Sequence, residues 1–384
     1  MTDLALRLRE HVRAKSPPMG EHCSAIPAEH YTSQERCAQE MATAFRKYPV
    51  IVGHRDQLAK SGDVIRHDAL GLPLLITRDN QGDLHCFLNA CRHRSMRLQE
   101  APKACGKRSL VCPYHGWTYE LDGRLKHVPH DYAFPDLDKQ SNGLVALPCA
   151  ERHGLIWVLP TPGEDLDLNQ KLDAYLGSIN EDFEYLDLGD SALYEQTESQ
   201  HAANWKLIID AFLEAYHVRV LHRNSIYPFF EDAMAANDVV SPHMRSAVAR
   251  KGLADINTET DSLPTDALAL RNLVTYTHFI FPNTIIIFNP DYASVLSFFP
   301  DGPERLTWTH HMLIPQDQNT PERQVHWQKT LELIKHTVFE REDLFAAEGM
   351  QIGLRSGANT HMTLGRLETM IRYFHDRVQD AIDA

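Results

Sequence analysis

The sequence contains no apolar run long enough to span a bilayer, and its first residues, MTDLALRLREHVRAK, lack the charged start, apolar core and cleavage site of a signal peptide. A basic excess is also missing, because 52 acidic residues against 38 Lys and Arg give a net charge of −14, which argues against a nucleic-acid partner. No G-x-G-x-x-G follows a strand pattern, so we expect any nicotinamide cofactor on another chain. These absences predict a cytoplasmic protein that binds neither membrane nor nucleic acid.

Cysteine is sparse. The seven cysteines are odd in number and show no framework spacing, so we expect reduced thiols and no disulfides. Five of them belong to no pattern: Cys23, Cys37, Cys86, Cys105 and Cys149. With 384 residues, 43% of them hydrophobic, the chain is long enough for a sizeable core and for two domains.

Each of the other two cysteines is followed closely by a histidine. Cys91 and His93 lie in CRHRSM, and Cys112 and His115 lie in CPYHGW, with eighteen residues between the two pairs. Two Cys on one iron and two His on the other hold a [2Fe–2S] cluster, and the neutral imidazoles raise its reduction potential above that of an all-Cys cluster. A zinc ion uses the same ligand types. Zinc sites usually pair Cys with Cys and His with His along the sequence, so the mixed pairs favour iron.

The hydrophobic pattern changes twice along the chain. Residues 1–45 have helical periodicity and are predicted to pack on the C-terminal domain. Residues 46–160 contain short apolar runs cut by Gly, Asp-Asn and Asp-Gly, which predicts an all-β domain with the Cys and His loops at hairpin tips. Residues 161–170 are predicted to be a linker, and residues 171–384 mix strand and helix patterns, which indicates an α+β domain.

A second group of polar residues interrupts the apolar segment NWKLIIDAFLEAYHVRVLH, residues 204–222. On a helix, Asp210, Glu214 and His217 would share one face among apolar neighbours. Unpaired buried carboxylates are expensive, so a metal, a cationic partner or a catalytic role explains them better than packing. His217 and His222 would lie about 140° apart on an ideal helix and can share a metal only if the helix breaks or bulges. A buried helix with two hydrogen-bonded histidines remains the alternative.

Together, these two motifs resemble those of Rieske non-haem iron oxygenase α subunits, the family of aromatic-ring-hydroxylating dioxygenases and Rieske monooxygenases. The resemblance runs from about Tyr31 to His375. It implies that the four loop residues hold a Rieske [2Fe–2S] cluster, with Met96, Tyr114 and Trp117 where respiratory Rieske proteins have extra Cys and Ser residues. It also implies that His217 and His222 bind a mononuclear Fe(II).

The resemblance further implies a third iron ligand and two supporting carboxylates. The tract FEREDLFAAEGMQIGLRSGANTHMTLGRLE matches the family pattern and assigns the third ligand to Asp343, with three competing carboxylates, Glu340, Glu342 and Glu348. By the same analogy, Glu214 bridges His217 to His115 of a neighbouring subunit, where most members have Asp. Asp210 lies at a supporting position whose role stays open, and both Glu214 and Asp210 are candidate catalytic residues.

The fold implied is an all-β Rieske domain followed by an α+β, helix-grip-like catalytic domain with an antiparallel sheet flanked by helices. The implied function is that of a terminal oxygenase, a homotrimer that takes electrons from an NAD(P)H-dependent reductase, with or without a ferredoxin. With O2 it would hydroxylate, dihydroxylate or demethylate a small organic substrate, with an aromatic acid favoured.

Two alternatives stay open. Glu at position 214 also occurs in members that act on quaternary ammonium compounds, and an electron carrier without oxygenase activity would need only the first domain. Candidate pocket residues are Ile226, Tyr227, Phe229, Phe230, Tyr276, Phe279, Phe281, Phe288 and Trp308, and candidate carboxylate-binding residues are Arg219, Arg223 and Arg245.

Overall fold

The computed structural model describes residues 1–164, 166–256 and 263–384. The chain divides into two compact units. The first joins Met1–Ala44 to Leu176–Ala384, and the second is Phe45–Tyr175. The predicted linker, residues 161–170, falls inside the second unit in this division. The domain boundaries expected from the sequence, at residues 45, 160 and 170, remain predictions. Among the described residues, no helix is both long and apolar enough to cross a membrane.

The N-terminal residues of the first unit are mostly helical. The first helix, α1 (Thr2–Ala14), buries Leu4, Ala5, Leu8 and Val12, a spacing that puts all four on one face. In the third helix, the Ser33 side chain accepts a hydrogen bond from the Arg36 backbone N–H at 3.1 Å, which caps the helix start. The elements are α1 (Thr2–Ala14), β1 (Ser24–Pro27), α2 (Glu29–Thr32) and α3 (Gln34–Ala42), and a short helix, α4 (Ala44–Lys47), begins at the last residue of this part and belongs mostly to the second unit.

The second unit is built almost entirely of antiparallel strands. Its strands are β2 (Val50–His54), β3 (Val64–His67), β4 (Leu74–Arg78), β5 (Leu84–Leu88), β6 (Lys103–Ala104), β7 (Leu110–Val111), β8 (Thr118–Tyr119), β9 (Leu125–His127), β10 (Ala146–Leu147), β11 (Cys149–Arg152) and β12 (Leu155–Val158), and α5 (Leu168–Leu176) follows them. They form a five-stranded sheet in the order β10-β5-β4-β3-β6 and two three-stranded sheets, β11-β12-β2 and β7-β8-β9.

One close approach in this unit requires glycine. The turn between β8 and β9 contains Gly123 with φ +86°, a conformation that side chains with a Cβ rarely adopt. A Cβ at this position would also lie 2.5 Å from a ring carbon of Phe87. The Asp122-Gly123 pair therefore lets the hairpin close directly against the core.

The rest of the first unit is a seven-stranded antiparallel sheet with helices. Its strands are β13 (Ser191–His201), β14 (Phe230–Val240), β15 (His243–Arg250), β16 (Val274–Ile280), β17 (Thr284–Phe288), β18 (Ala293–Pro300) and β19 (Leu306–Pro315), and a short strand, β20 (His361–Leu364), pairs with β1. The helices are α6 (Ile179–Tyr185), α7 (Trp205–Phe212), α8 (Val218–Leu221), α9 (Ala267–Arg271), α10 (Gln324–Glu332), a π-helix (Leu333–Leu344), α11 (Phe345–Arg355) and α12 (Thr369–Asp383).

The order of this sheet places the second motif. The strand order is β13-β19-β18-β17-β16-β15-β14, so β13 and β14 follow one another in the chain but form opposite edges. The segment between them, which contains α7 and α8, must therefore cross the sheet. Every residue of β18 is buried, as expected for a strand covered on both faces. The predicted fold class, an all-β domain and an α+β domain with an antiparallel sheet, is confirmed.

A buried ion pair connects the N-terminal helices to α7. The Lys206 ammonium lies 2.7 Å from both carboxylate oxygens of Glu40, and both side chains are fully buried. The indole N–H of Trp205 donates to the same carboxylate at 3.0 Å. Burial lowers the pKa of Lys206, although Glu40 opposes this shift. Arg36 also contacts the Glu40 carboxylate, at 3.2 Å, whereas the Lys206 ammonium has Glu40 as its carboxylate partner and would be strongly disfavoured without it.

Replacing Glu40 by Gln is expected to destabilise the first unit by about 3–5 kcal/mol, because it leaves a buried ammonium without its carboxylate. Urea denaturation followed by circular dichroism measures the change. Glu35→Gln, on the exposed side of the same helix, is the matched control and should shift stability by no more than about 0.5 kcal/mol. Equal unfolding midpoints for the two variants would contradict this role.

Candidate metal centres

The four predicted cluster ligands lie on two loops of the second unit with the same backbone hydrogen bonds. The Cys91 N–H donates to Met96 O at 2.8 Å, and the Cys112 N–H donates to Trp117 O at 2.8 Å. In each loop, the N–H four residues after the cysteine donates back to the cysteine carbonyl. Both loops therefore present their Cys and His in similar ways.

The loops differ in their place in the sheets. The second loop joins the paired strands β7 and β8 and is a hairpin tip, as predicted. The first loop runs from β5 to β6, which are not neighbours in their sheet, so the prediction of two hairpin tips is wrong for this loop.

The two cysteines point inward and the two histidines point outward. Cys91 and Cys112 are buried in the core of the unit, while His93 is half-buried and His115 is exposed. The two imidazole rings have their centroids 4.7 Å apart. The arrangement offers one sulfur pair on the inside and one imidazole pair near the surface, where an electron can enter or leave.

The surroundings of the thiols fit a metal cluster. Burial raises the pKa of the Cys91 thiol, so a thiolate at this depth needs a cation beside it. The Tyr119 hydroxyl lies 3.3 Å from the Cys91 sulfur and accepts from the Arg92 N–H at 2.9 Å, which leaves its own proton available to the sulfur. In addition, His93 Nδ1 is buried without a hydrogen-bond partner among the described residues. The buried Cys91 sulfur and the unpaired His93 Nδ1 are therefore suited to bind a metal.

The separation of the four ligands distinguishes a binuclear cluster from one zinc ion. Ligands of a single tetrahedral zinc would lie within about 4 Å of one another. Within residues 1–164, 166–256 and 263–384, the only group of three or more metal-type ligands with all ligand atoms within 4.8 Å lies elsewhere, at His217, His222 and Asp343. No three of the four loop ligands are therefore that close, and a [2Fe–2S] cluster, with one ligand pair on each iron, fits them better.

The second centre requires that the helix be interrupted. Helix α7 ends at Phe212, residues 213–217 form turns and bends, and α8 occupies Val218–Leu221. His217 precedes α8 and His222 follows it. The prediction that Asp210, Glu214 and His217 share one face of a continuous helix is therefore wrong. The helix break that His217 and His222 need in order to share a metal is present. It brings the two Nε2 atoms within 3.2 Å of each other.

The structure brings Asp343 to these two histidines. Its Oδ1 lies 3.1 Å from His222 Nε2 and 3.9 Å from His217 Nε2. The same oxygen is buried and has no partner with hydrogen-bond geometry among the described residues. Two imidazoles and one carboxylate aimed at one point form the donor set of a facial triad, so these residues fit a mononuclear iron.

A carboxylate contacts the far nitrogen of each imidazole. His217 Nδ1 contacts Glu214 Oε1, and His222 Nδ1 lies 2.7 Å from Glu342 Oε2, which also accepts from the Ser225 hydroxyl at 2.7 Å. With Nδ1 donating to a carboxylate, the Nε2 lone pair faces the metal position. Burial lowers the pKa of His222, but Asp343 and Glu342 outweigh it and the net shift is upward.

The other predicted carboxylates lie elsewhere. Glu340 bonds to His336 on an exposed surface, and Glu348 accepts from the Ala202 N–H at 3.2 Å. Asp210 accepts from the Tyr31 hydroxyl at 2.7 Å and lies 3.2 Å from His375 Nε2, so it belongs to a buried network on α7 and not to the metal group. The sequence did not indicate that Glu342 contacts His222. It predicted Glu342 only as a competitor of Asp343 for the position of third iron ligand.

A cavity of about 300 Å³ opens onto the three clustered ligands and is mostly apolar. Of the predicted pocket residues, Ile226, Phe229 and Phe230 line it. The remaining predicted pocket residues do not line the cavity, namely Tyr227, Tyr276, Phe279, Phe281, Phe288 and Trp308. Lining residues that the sequence did not indicate include Phe212, Arg250, Tyr292 and Phe339. Among the predicted arginines, Arg219 pairs with Asp232 and Arg245 pairs with Asp182, and neither reaches the cavity.

The fold and these two sites define a two-centre iron protein, with an electron-transfer ligand set in one unit and an oxygen-activating ligand set in the other. Residues 48–139 match the model of the Rieske [2Fe-2S] domain, and residues 188–384 match that of the ring hydroxylating alpha subunit, catalytic domain. The chain belongs to this family of ring-hydroxylating α subunits, which hold a Rieske [2Fe–2S] cluster and a mononuclear iron. The resemblance seen in the sequence is confirmed.

Curated relatives include two kinds of monooxygenase. The glycine betaine monooxygenase oxygenase subunit of Pseudomonas aeruginosa is 30% identical over 228 residues, which cover 59% of this chain and 50% of that protein. The chain therefore spans about half the length of that relative. The carnitine monooxygenase oxygenase subunit of Escherichia coli K12 is 25% identical over 335 residues, which cover 86% of this chain and 84% of that protein.

Solved structures share the fold. The quaternary ammonium Rieske monooxygenase CntA aligns with a TM-score of 0.77 at 23% identity, covering 93% of this chain and 95% of that one. Naphthalene 1,2-dioxygenase from Rhodococcus sp. aligns with a TM-score of 0.77 at 19% identity, covering 99% and 98%.

Replacing Glu342 by Gln is expected to weaken Fe(II) binding at the second centre by roughly 10- to 100-fold, because His222 loses the anionic acceptor that fixes its tautomer. Iron retained after dialysis against a chelator measures the change, and an unchanged visible spectrum of the cluster shows that the second unit is intact. Glu340→Gln, two residues away on an exposed surface, is the control. Equal iron retention in both variants would contradict the role of Glu342.

Proposed function

We propose that the chain is the terminal oxygenase component of a Rieske oxygenase, which oxidises a small organic substrate with O2 and electrons from a separate NAD(P)H-dependent reductase, with or without a ferredoxin. One observation carries this proposal. The two histidines and the aspartate of the second centre face a largely apolar cavity of about 300 Å³, a size suited to a small organic molecule. An electron carrier would need neither this ligand group nor the cavity.

When bound, the cluster supplies single electrons and the mononuclear Fe(II) activates O2. The protein supplies the rest of the chemistry. Glu214 and Glu342 hold the Nδ1 protons of His217 and His222 so that both Nε2 atoms face one point. Asp343 adds a single negative charge at that point. The apolar lining of the cavity excludes water and restricts how a substrate lies against the open side of the group.

We further propose that Glu214 connects His217 to His115 of a neighbouring subunit in a head-to-tail homotrimer. His115 is exposed, as this contact requires. The Glu214 side chain is 8% exposed and lies next to Tyr216, which is 63% exposed, with Val220 of α8 79% exposed nearby in sequence. Exposed apolar side chains beside a metal group suit a protein contact. Head-to-tail contacts close into a ring when the rotation allows it, and the proposed number of three subunits follows the resemblance to the family.

We propose a small organic substrate, with an aromatic acid favoured and a quaternary ammonium compound as the second candidate. The similarity to glycine betaine and carnitine monooxygenase subunits supports the second candidate, as does Glu at position 214. The aromatic rings of the cavity, Phe212, Phe339 and Tyr292 among them, could contact either a flat ring or an ammonium group.

Metal analysis of the purified protein is expected to give about three irons and two acid-labile sulfides per chain, because the cluster holds two irons and the second centre one. Plasma emission spectrometry and a sulfide assay measure the ratio. Two irons per chain would favour the electron carrier, and a colourless protein containing zinc would contradict both iron assignments.

Replacing Glu214 by Gln is expected to weaken iron binding at the second centre, as Glu342→Gln does, because His217 loses its carboxylate. Turnover per bound iron should in addition fall by roughly 10- to 100-fold or more, because the proposed bridge loses its charge, so the variant is loaded with Fe(II) and its iron content is measured before the assay. In a stopped-flow experiment, the pre-reduced cluster should stay reduced after mixing with O2 and substrate, although it is reoxidised in the wild type. Glu340→Gln serves as the control with normal reoxidation. Normal reoxidation in Glu214→Gln would exclude the bridge.

A further inference from the structure

Arg250 brings a guanidinium group to the lining of the cavity. It is the last residue of β15, opposite Phe230 of β14 in the sheet register. Its guanidinium carbon lies 5.1 Å from the centroid of the Phe230 ring and 5.8 Å from that of Phe229. Its Nη1 donates to the Thr275 hydroxyl at 3.2 Å. The group is held in place by two rings and one hydroxyl, all from residues that also line the cavity.

The other charged groups of the lining have defined partners. Besides the two histidines, the lining contains Glu214, Arg250, Asp291 and Asp343. Glu214 contacts His217, Asp343 faces the metal position, and Asp291 lies 2.7 Å from His326 Nε2. Arg250 has no carboxylate within 4.0 Å in the part of the chain that the structure describes. Asp291 acts on Arg250 only at longer range, where it opposes the burial that lowers the Arg250 pKa, so Arg250 is the lining charge without a carboxylate at contact distance among the described residues.

A half-buried guanidinium without a contacting carboxylate is unfavourable in an apolar cavity. Stacking on Phe230 offsets part of this cost and leaves N–H donors for an incoming group. Arginine binds carboxylates through two parallel N–H···O bonds, and such bonds are stronger than neutral ones. We propose that Arg250 is the anion subsite of the cavity and binds the carboxylate of an organic acid. This proposal rests on the proposed oxygenase function and specifies its substrate class.

The subsite fixes the direction of the bound molecule. Its carboxylate would lie at the β15 end of the cavity beside Arg250, and the carbon to be oxidised would lie toward His217, His222 and Asp343. A neutral hydrocarbon would leave Arg250 without a partner, and an ammonium group beside Arg250 would be repelled. A zwitterion fits only with its carboxylate at Arg250 and its ammonium away from it, so aromatic acids and betaines share the same anionic end.

The experiment measures ligand binding to the oxidised holoenzyme by isothermal titration calorimetry without reductase, so that turnover plays no part. The probes are two matched pairs: benzoate with benzamide, and 4-(trimethylammonio)butanoate with its amide. The variants are Arg250→Gln and Arg250→Lys, and the matched control is Lys251→Gln, which removes a charge from the next residue along the chain. Lys251 is exposed and does not line the cavity.

In the wild type, the carboxylate of at least one pair is expected to bind roughly 10- to 100-fold more tightly than its amide. Arg250→Gln should remove that preference while changing amide binding by no more than about twofold, Arg250→Lys should keep part of it, and Lys251→Gln should keep all of it. The pair that shows the preference distinguishes aromatic acids from betaines.

The proposal is overturned if no carboxylate binds the wild type more tightly than its amide, or if Arg250→Gln keeps the preference with an unchanged cluster spectrum. Failure of the oxygenase function would instead appear as missing iron at the second centre, which metal analysis of the same preparation detects independently.

Discussion

The second centre depends on one repeated contact, a carboxylate on the Nδ1 of each imidazole. Glu214 holds His217, and Glu342 holds His222 at 2.7 Å. Without these acceptors each ring could rotate or change tautomer, and the two Nε2 atoms would not both face Asp343. The two carboxylates come from different parts of the chain, one from the segment after α7 and one from the π-helix. The centre therefore forms only when both segments are folded against the sheet, which couples metal binding to the tertiary structure.

The backbone departs from regular helix geometry on both sides of this centre. The break after Phe212 places His217 and His222 at the two ends of a short helix, where a continuous helix would have separated them. The π-helix over Leu333–Leu344 widens each turn and carries both Glu342 and Asp343, so that neighbouring residues reach different atoms of the same site. Such irregular segments need support from packing. The regular part of α7 provides it, with Trp205, Ile208 and Ile209 fully buried.

The sequence predicted most of this arrangement where the chemistry depends on local spacing. Cys91, His93, Cys112 and His115 are identifiable because each pair lies within one loop, and His217 and His222 because they lie five positions apart in a segment that matches the family motif. The assignment of the third iron ligand to Asp343 and not to a neighbouring glutamate came from the family pattern alone. Which of two adjacent carboxylates faces the histidines depends on whether the segment is an α-helix or a π-helix, and the sequence does not reveal this. The part played by Glu342 could not be predicted, since it depends on a contact with His222, 120 positions away in the chain. The position of Arg250 could not be predicted either, since it depends on which end of β15 faces the cavity.

The charges around the cavity explain why a cation there matters. Asp343, Glu214 and Glu342 lie around a position suited to one divalent iron, and Asp291, which contacts His326, also lines the cavity, so these four carboxylates outnumber the charge of the iron by two. Fields in a cavity with apolar walls are weakly screened, and an organic anion entering it would be repelled by this excess. Arg250 supplies a compensating charge from the other side of the same lining. If the substrate is an organic acid, as proposed, Arg250 is the group that offsets the repulsion from these carboxylates, and the same cavity without Arg250 would suit neutral or cationic molecules better.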